Sequence, residues 1–264
     1  MDRDERLAWL RSFQQPVTFL GIGMCLFLLA ALVYLIRKDR DDAYQAALRN
    51  GANLAQVFEG YISRTITIAD NTLRLLRSSY QQDPAGFDLA AWSRNPNVQN
   101  ELTVQLTIAG RDGIIKASTF EGAVAGIDIN DREHFRIHVD AAADELFISK
   151  PITLITQGSP AIILSRRITA PDGSFAGVVT AAIDPRQLVS FYSSLDLGSD
   201  GVASLVGFDA IIRARGGSGQ LHPDAIGRSI AKAEAFRRYR HEPSGSYWNV
   251  PGTVDPVETR PSEP

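Results

Sequence analysis

Ala109-Gly-Arg-Asp-Gly-Ile-Ile-Lys-Ala117 returns as Val206-Gly-Phe-Asp-Ala-Ile-Ile-Arg-Ala214, with Gly, Asp, Ile, Ile and Ala matched at an offset of 97 residues. A second set, Gly126, Ile129 and Phe135, is echoed by Gly227, Ile230 and Phe236 at an offset of 101, as if the second copy carried a four-residue insertion such as Gly216 to Gly219. Chance identity of that density is improbable. The chain therefore carries two related modules in tandem.

Outward from the first copy, β-branched runs predict strands at Leu102–Ala109, Ile114–Ser118, Leu146–Lys150, Ala161–Thr169 and Phe175–Ile183. Asp112-Gly113 and Asp172-Gly173 separate paired runs, and Asp-Gly supplies the positive φ that a tight hairpin requires. Asp131 to Ala141 (DREHFRIHVDA) reads as a helix opening on an N-cap aspartate between the second and third strands. The expected fold class is α+β, with an antiparallel sheet built from hairpins. On the duplicated register Phe147 falls opposite Trp248, making Gly245 to Val250 the third strand of module two. The text then reads PGTVDPVETRPSEP, four prolines in fourteen residues with no strand-length apolar run, so module two lacks its closing hairpin. Either the chain is truncated relative to its relatives, or a disordered tail leaves a sheet edge unpaired.

Toward the N-terminus no charged residue occurs from Ser12 to Ile36, and Val17 to Ile36 (VTFLGIGMCLFLLAALVYLI) matches the roughly 20 residues that cross a ~30 Å hydrocarbon core. A cleavable signal peptide would carry a shorter apolar stretch and a small-residue cleavage site; Arg37-Lys38-Asp39-Arg40 follows here instead. Arg3, Arg6 and Arg11 precede the span while Arg37, Lys38, Arg40 and Arg49 follow it, so charge bias gives no orientation. Beyond the span, Tyr44, Leu48, Gly51, Ala55, Phe58, Ile62, Thr65, Ala69, Thr72 and Leu76 alternate by four and three, the spacing of a coiled-coil seam on a helix from about Arg37 to Tyr80. Its small residues leave two readings open: self-association, or an amphipathic helix packed on its own domain.

In the whole chain of 264 residues, 27 basic and 30 acidic side chains are interleaved, and no Lys/Arg-rich run marks a nucleic-acid footprint. The single cysteine, Cys25, lies in the apolar span, so neither an intrachain disulfide nor a cysteine-based zinc site is expected. There is no Gly-x-Ser-x-Gly elbow and no phosphate-cradling Gly-x-x-x-x-Gly-Lys loop; Gly216-Gly-Ser-Gly219 reads as a flexible connection. No enzyme activity and no cofactor is expected.

The order of anchor, long helix and two modules resembles the double-Cache sensors, extracytoplasmic ligand-binding regions of bacterial receptors. The resemblance rests also on Gly110-Arg-Asp-Gly113, Gly126-Ile-Asp-Ile-Asn-Asp-Arg-Glu-His-Phe135, Phe147-Ile-Ser-Lys-Pro151, Ser165-Arg-Arg-Ile168 and Asp172-Gly-Ser-Phe-Ala-Gly-Val178. It implies a cytoplasmic N-terminus at 1–15, a transmembrane helix at 16–36 and a stalk helix at 37–80. A membrane-distal PAS-like module at 81–198, a partial second module at 199–250 and a disordered tail at 251–264 would follow. It further implies a single-pass protein of the bacterial inner membrane with its bulk in the periplasm, sensing a small molecule and lacking its own output domain. In relatives the output is a kinase, a chemotaxis domain or, as the local text suggests, a cyclic-di-GMP enzyme such as a diguanylate cyclase. The competing reading is a non-sensing membrane anchor or assembly protein.

Arg132 is the first candidate for the binding site, because a guanidinium holds a carboxylate through two parallel hydrogen bonds. The bland alternative pairs it with Asp128 or Asp131 on the surface. In amino-acid-binding members of the family the comparable arginine is followed by an aromatic pair, a tyrosine and an aspartate on the next strand, and a last aspartate. The resemblance places His134 and Phe135, then Phe147 and Ser149, then Asp184 at those positions. With Ser149 in place of the strand carboxylate, a partner for a ligand ammonium is lost, and a carboxylate or other small anion is the expected ligand. His134 and His138 share a helix face, as pocket or surface groups rather than as a metal pair. Of Arg166 and Arg167, which alternate on a strand, one should face inward; Arg166 is the candidate carried.

Overall fold

The computed structural model describes residues 3–95, 103–120, 122, 124–141, 143–193, 197, 201–217, 220–221, 223–242 and 244–245. Two compact units result, Met1–Glu59 and Gly60–Pro264. Helix α1 (Arg3–Gln82) contains the apolar span, whose large side chains, Phe19, Leu20, Phe27 and Leu32 among them, are exposed. Such a face suits lipid rather than water. Among the described residues this is the one helix long and apolar enough to cross a membrane.

In the second unit, α1 turns Ile62, Thr65, Ala69, Thr72, Leu73 and Leu76 inward. The C-terminal half of the coiled-coil spacing is thus occupied by the helix's own domain. After the short helix α2 (Leu89–Ser93), capped by Asp88 Oδ1, come β1 (Thr103–Gly110), β2 (Ile115–Ser118), α3 (Glu133–Val139), β3 (Phe147–Thr153), β4 (Pro160–Thr169) and β5 (Phe175–Ile183). The strands form one antiparallel sheet in the order β2-β1-β5-β4-β3. Helix α4 (Pro185–Ser193) then leads to a smaller sheet, β6 (Ala203–Val206), β7 (Ile212–Gly217) and β8 (Gln220–Leu221), followed by α5 (Glu234–Tyr239).

Register divides the large sheet into two chemically distinct faces. Leu106, Ile108, Leu164, Arg166, Val179 and Ala181 share one face, toward α1; Gln105, Thr107, Ile163, Ser165, Thr180 and Ala182 share the other, toward α3. Gly177, at φ 137°, lies where a Cβ would meet the Ala109 carbonyl oxygen at 2.1 Å, so β1 and β5 approach as only glycine permits.

The duplication is reproduced hydrogen bond by hydrogen bond. Gly110 N donates to Ile114 O and Gly207 N to Ile211 O; Gly126 N donates to Ile115 O and Gly227 N to Ile212 O; Ile129 N donates to Gly113 O and Ile230 N to Ala210 O. Gly113 (φ 72°) is matched by Ala210 (φ 65°), which adopts the left-handed conformation without being glycine. Phe135 and Phe236 both fall on the following helix, α3 or α5.

Four local expectations are corrected. α3 begins at Glu133 with Arg132 as its N-cap, not Asp131, because the Arg132 carbonyl accepts from both Phe135 N and Arg136 N. β3 continues through Pro151 to Thr153: the register shifts between Ile148 and Pro151, and Ser149 Oγ accepts from Ile163 N there, a bulge on an edge strand where proline is tolerated. Gly216 and Gly217 are not a connection but the buried end of β7, paired with Leu221 and Gln220. α2 and α4 stand where no helix was expected; Asp88 and Asp184 precede them, each accepting from a backbone N–H of the first turn. The third strand of module two from 246 and the tail at 251–264 lie outside the described residues.

Candidate functional site

The α3-facing side of the sheet is polar where a central, covered strand would ordinarily be apolar. Gln105 and Thr107 on β1 and Thr180 on β5 form the floor of a cavity with Ile163 and Ala182. The segment between β2 and α3 contributes Val124, Ile127 and Ile129, the start of α3 contributes Arg132 and His134, and β3 with its hairpin contributes Ile152 to Thr156. About 60 Å3 is open to the centre of a water molecule. One water needs only ~10–15 Å3 on that measure, so there is room for a small metabolite.

Of the candidate residues, Arg132 and His134 come together on this cavity. The Arg132 side chain is 34% exposed, and its nearest carboxylate oxygen, Asp131 Oδ1, is 3.6 Å from Nε, beyond hydrogen-bonding distance. Nε is buried and makes no hydrogen bond. His134 is buried; desolvation first, then the charge of Arg132, lowers its pKa from 6.5 to about 4, so the ring is neutral at pH 7 and offers one donor and one acceptor.

The other candidates lie elsewhere. Phe135 packs in the core with Ile115, Val124, Ile129 and Val178 and meets Phe175 edge to face. Phe147 stands edge-on to His138, whose Nε2 is 2.9 Å from Ser165 Oγ. The Ser149 hydroxyl donates to Lys150 O and accepts from Ile163 N, so its one donor is spent on the backbone. Asp184 opens α4: Oδ1 accepts from Arg186 N at 2.8 Å, and the Arg186 guanidinium closes on both its oxygens. Arg166 points the opposite way, through the sheet to α1.

Burial raises the Asp70 pKa, but the hydrogen bonds and charge of Arg166, with Arg74 behind, hold its carboxyl below the usual carboxylate range. Arg166 grips both Asp70 oxygens, with Nη2 2.9 Å from Oδ2, and its Nη1 reaches Asp144 Oδ1 at 3.1 Å. Asp144 in turn pairs with Arg77 of α1 at 2.7 Å. On the other face Arg167 donates to the carbonyls of His138 and Val139 at the end of α3 and lies over the Phe175 ring. The two arginines thus tie β4 to α1 and to α3 respectively.

The chain matches no protein-family model and no curated protein sequence; its likeness is to solved structures. The extracellular domain of a protein assigned as the histidine kinase rpHK1S-Z16 aligns over 77% of this chain and 82% of its own, with a TM-score of 0.67 and 28% identity. The fold is that of an extracellular sensor domain. The same sensor fold appears in the ligand-binding domain of the Pseudomonas aeruginosa PAO1 amino-acid chemoreceptor PctC in complex with GABA (TM-score 0.51, 16% identity, 75% of this chain and 82% of that one). An extracellular ligand-binding receptor from Desulfohalobium retbaense DSM5692 has it too (TM-score 0.56, 16% identity, 75% of this chain and 35% of that one). These are receptor domains rather than enzymes, and the chain is read accordingly as the input domain of a receptor.

The floor residues Gln105, Thr107 and Thr180 escaped sequence reading. The signal was present as polar side chains alternating with Leu106 and Ile108 on a strand covered on both faces.

Proposed function

We propose that this chain is a membrane-anchored sensor whose cavity beneath α3 takes a small anion, held by Arg132. The observation that carries the reading is a guanidinium with a buried, unbonded Nε at the edge of a cavity otherwise walled by aliphatic and neutral polar groups. A bidentate anion would satisfy that fork. Ligand drawn toward Arg132 and His134 would settle the start of α3. The far end of α3 is tied through His138 to Ser165 and through its carbonyls to Arg167, while the adjacent Arg166 holds α1. Occupancy can shift α1 only by the ligand's differential affinity for the two positions.

The N-terminal half of the seam, with Gly51 and Ala55 exposed and Leu48 half-buried, is the surface through which two anchored copies would pair. The sensing unit would lie in the periplasm, outside the bacterial inner membrane. The local sequence text favours a cyclic-di-GMP enzyme as the output that reads α1.

A thermal-shift panel of small acids, amines and sugars on the full chain in detergent tests this reading. At least one anion should raise the melting temperature of the parent and not of Arg132→Gln. No shift with any compound would sink it in favour of an anchor or assembly role.

A further inference from the structure

The reading above leaves open which anion, and the cavity's chemistry narrows it. Among the described residues that line it, Arg132 is the one charged group. The carboxylates that could have met a ligand ammonium are committed elsewhere: Asp184 to Arg186 and the first turn of α4, Asp144 and Asp70 to Arg166. Burying an ammonium without a counter-charge is costly, so an α-amino acid is a poor occupant.

A second ligand carboxylate fares no better. It would need a second cation, and His134 is held neutral by burial and by Arg132 itself. Gln105 has no donor left for it: both amide N–H groups are spent on Thr107 Oγ1 and Ser118 Oγ, while its carbonyl oxygen accepts from Thr156 Oγ1. What remains for the body of the ligand is a wall of Ile115, Ile127, Ile129, Ile152, Leu154 and Ile163 above the neutral hydroxyls of Thr107 and Thr180.

We infer that the ligand is a short-chain aliphatic monocarboxylate with no second charged group, its carboxylate on Arg132 and His134 and its hydrocarbon tail against the isoleucine wall. This rests on the cavity being the ligand site. Its specificity residues are Arg132, which fixes the acid, and the aliphatic wall, which rejects charge on the tail.

Calorimetric titration of the full chain in nanodiscs at pH 7.5 with acetate, propanoate, butanoate, 2-aminobutanoate and succinate tests the inference. Affinity should rise about fourfold per methylene from acetate to butanoate, the value of one buried CH2. Both 2-aminobutanoate and succinate should bind at least about tenfold more weakly than butanoate, because each buries an unpaired charge. Arg132→Gln should weaken butanoate by about tenfold or more. The chain-length series needs no variant and stands even if Arg132→Gln fails to fold.

A flat series, or 2-aminobutanoate or succinate binding as tightly as butanoate, overturns the ligand class while leaving the anion site intact. So does failure of all five probes when some other anion still gives an Arg132-dependent thermal shift. Failure of every anion overturns the site itself.

Discussion

Replacing Arg166 by methionine keeps most of the side chain's length and removes its charge. Arg166 is only 3% exposed and sits between Asp70, whose side chain is 16% exposed, and Asp144, at 38%. The substitution therefore leaves one largely buried carboxylate with Arg74 alone and one partly exposed carboxylate with Arg77 alone. Removing one member of a buried pair costs about 3–5 kcal/mol. Asp144 keeps Arg77 and more solvent, so the low end, ~3 kcal/mol, is expected. For a chain of this size each kcal/mol moves the melting temperature by roughly 2–4 °C, giving a fall of about 6–12 °C.

The assay is thermal unfolding of the full chain in detergent, followed by circular dichroism. Pairing Arg166→Met with Asp70→Asn should cost less than the sum of the two single changes, since the second change removes the stranded charge. The Asp70 pKa is held below its ordinary 3.8, so the link's stability is complete above pH ~4 and is lost as pH falls through the folded value. Arg166→Met should lose most of that acid dependence, with Arg74 keeping the remainder. A fall below about 2 °C, or strict additivity of the two variants, would refute the reasoning.

Three further outcomes are expected. His134, lowered from 6.5 to about 4 chiefly by burial, favours the folded state while neutral; stability should be full above pH 6.5 and decline by ~3 kcal/mol as pH falls to about 4, and His134→Gln should flatten most of that decline in a melting-temperature profile. Gly177→Ala should destabilise by about 3 kcal/mol or more in urea titration, because its φ of 137° is strained for alanine and the obstructing atom is backbone. In membranes carrying Cys25→Ser, Leu48→Cys should form an interchain disulfide under mild oxidant and Arg49→Cys should not; equal cross-linking at both would argue against the seam as a dimer surface.

Much of the fold was legible because the signals are local. Asp-Gly pairs marked two of the three hairpins of the large sheet, β1-β2 and β4-β5, and the repeat pointed to module two through residues whose backbone conformations are shared, Gly113 with Ala210 and Gly126 with Gly227. The site was less legible because a strand's alternation does not say which face is roofed. Arg166 and Arg167 are adjacent in sequence, yet one reaches α1 and the other α3. Ser149 and Asp184 are polar for local reasons, a bulge and a helix start, which one-dimensional spacing cannot separate from ligand contact. Arg132 was named for its guanidinium at the start of a helix over the sheet and His134 from the resemblance, and both line the cavity. The floor was missed because Gln105, Thr107 and Thr180 are ordinary strand residues until both faces of the sheet are covered.

The most direct measurement is a crystal structure of the chain grown with its tightest-binding small anion. The account predicts ligand density in the cavity beneath α3, with two anion oxygens within hydrogen-bonding distance of the Arg132 guanidinium. Density at another place, with the cavity beside Arg132 unfilled, would contradict it.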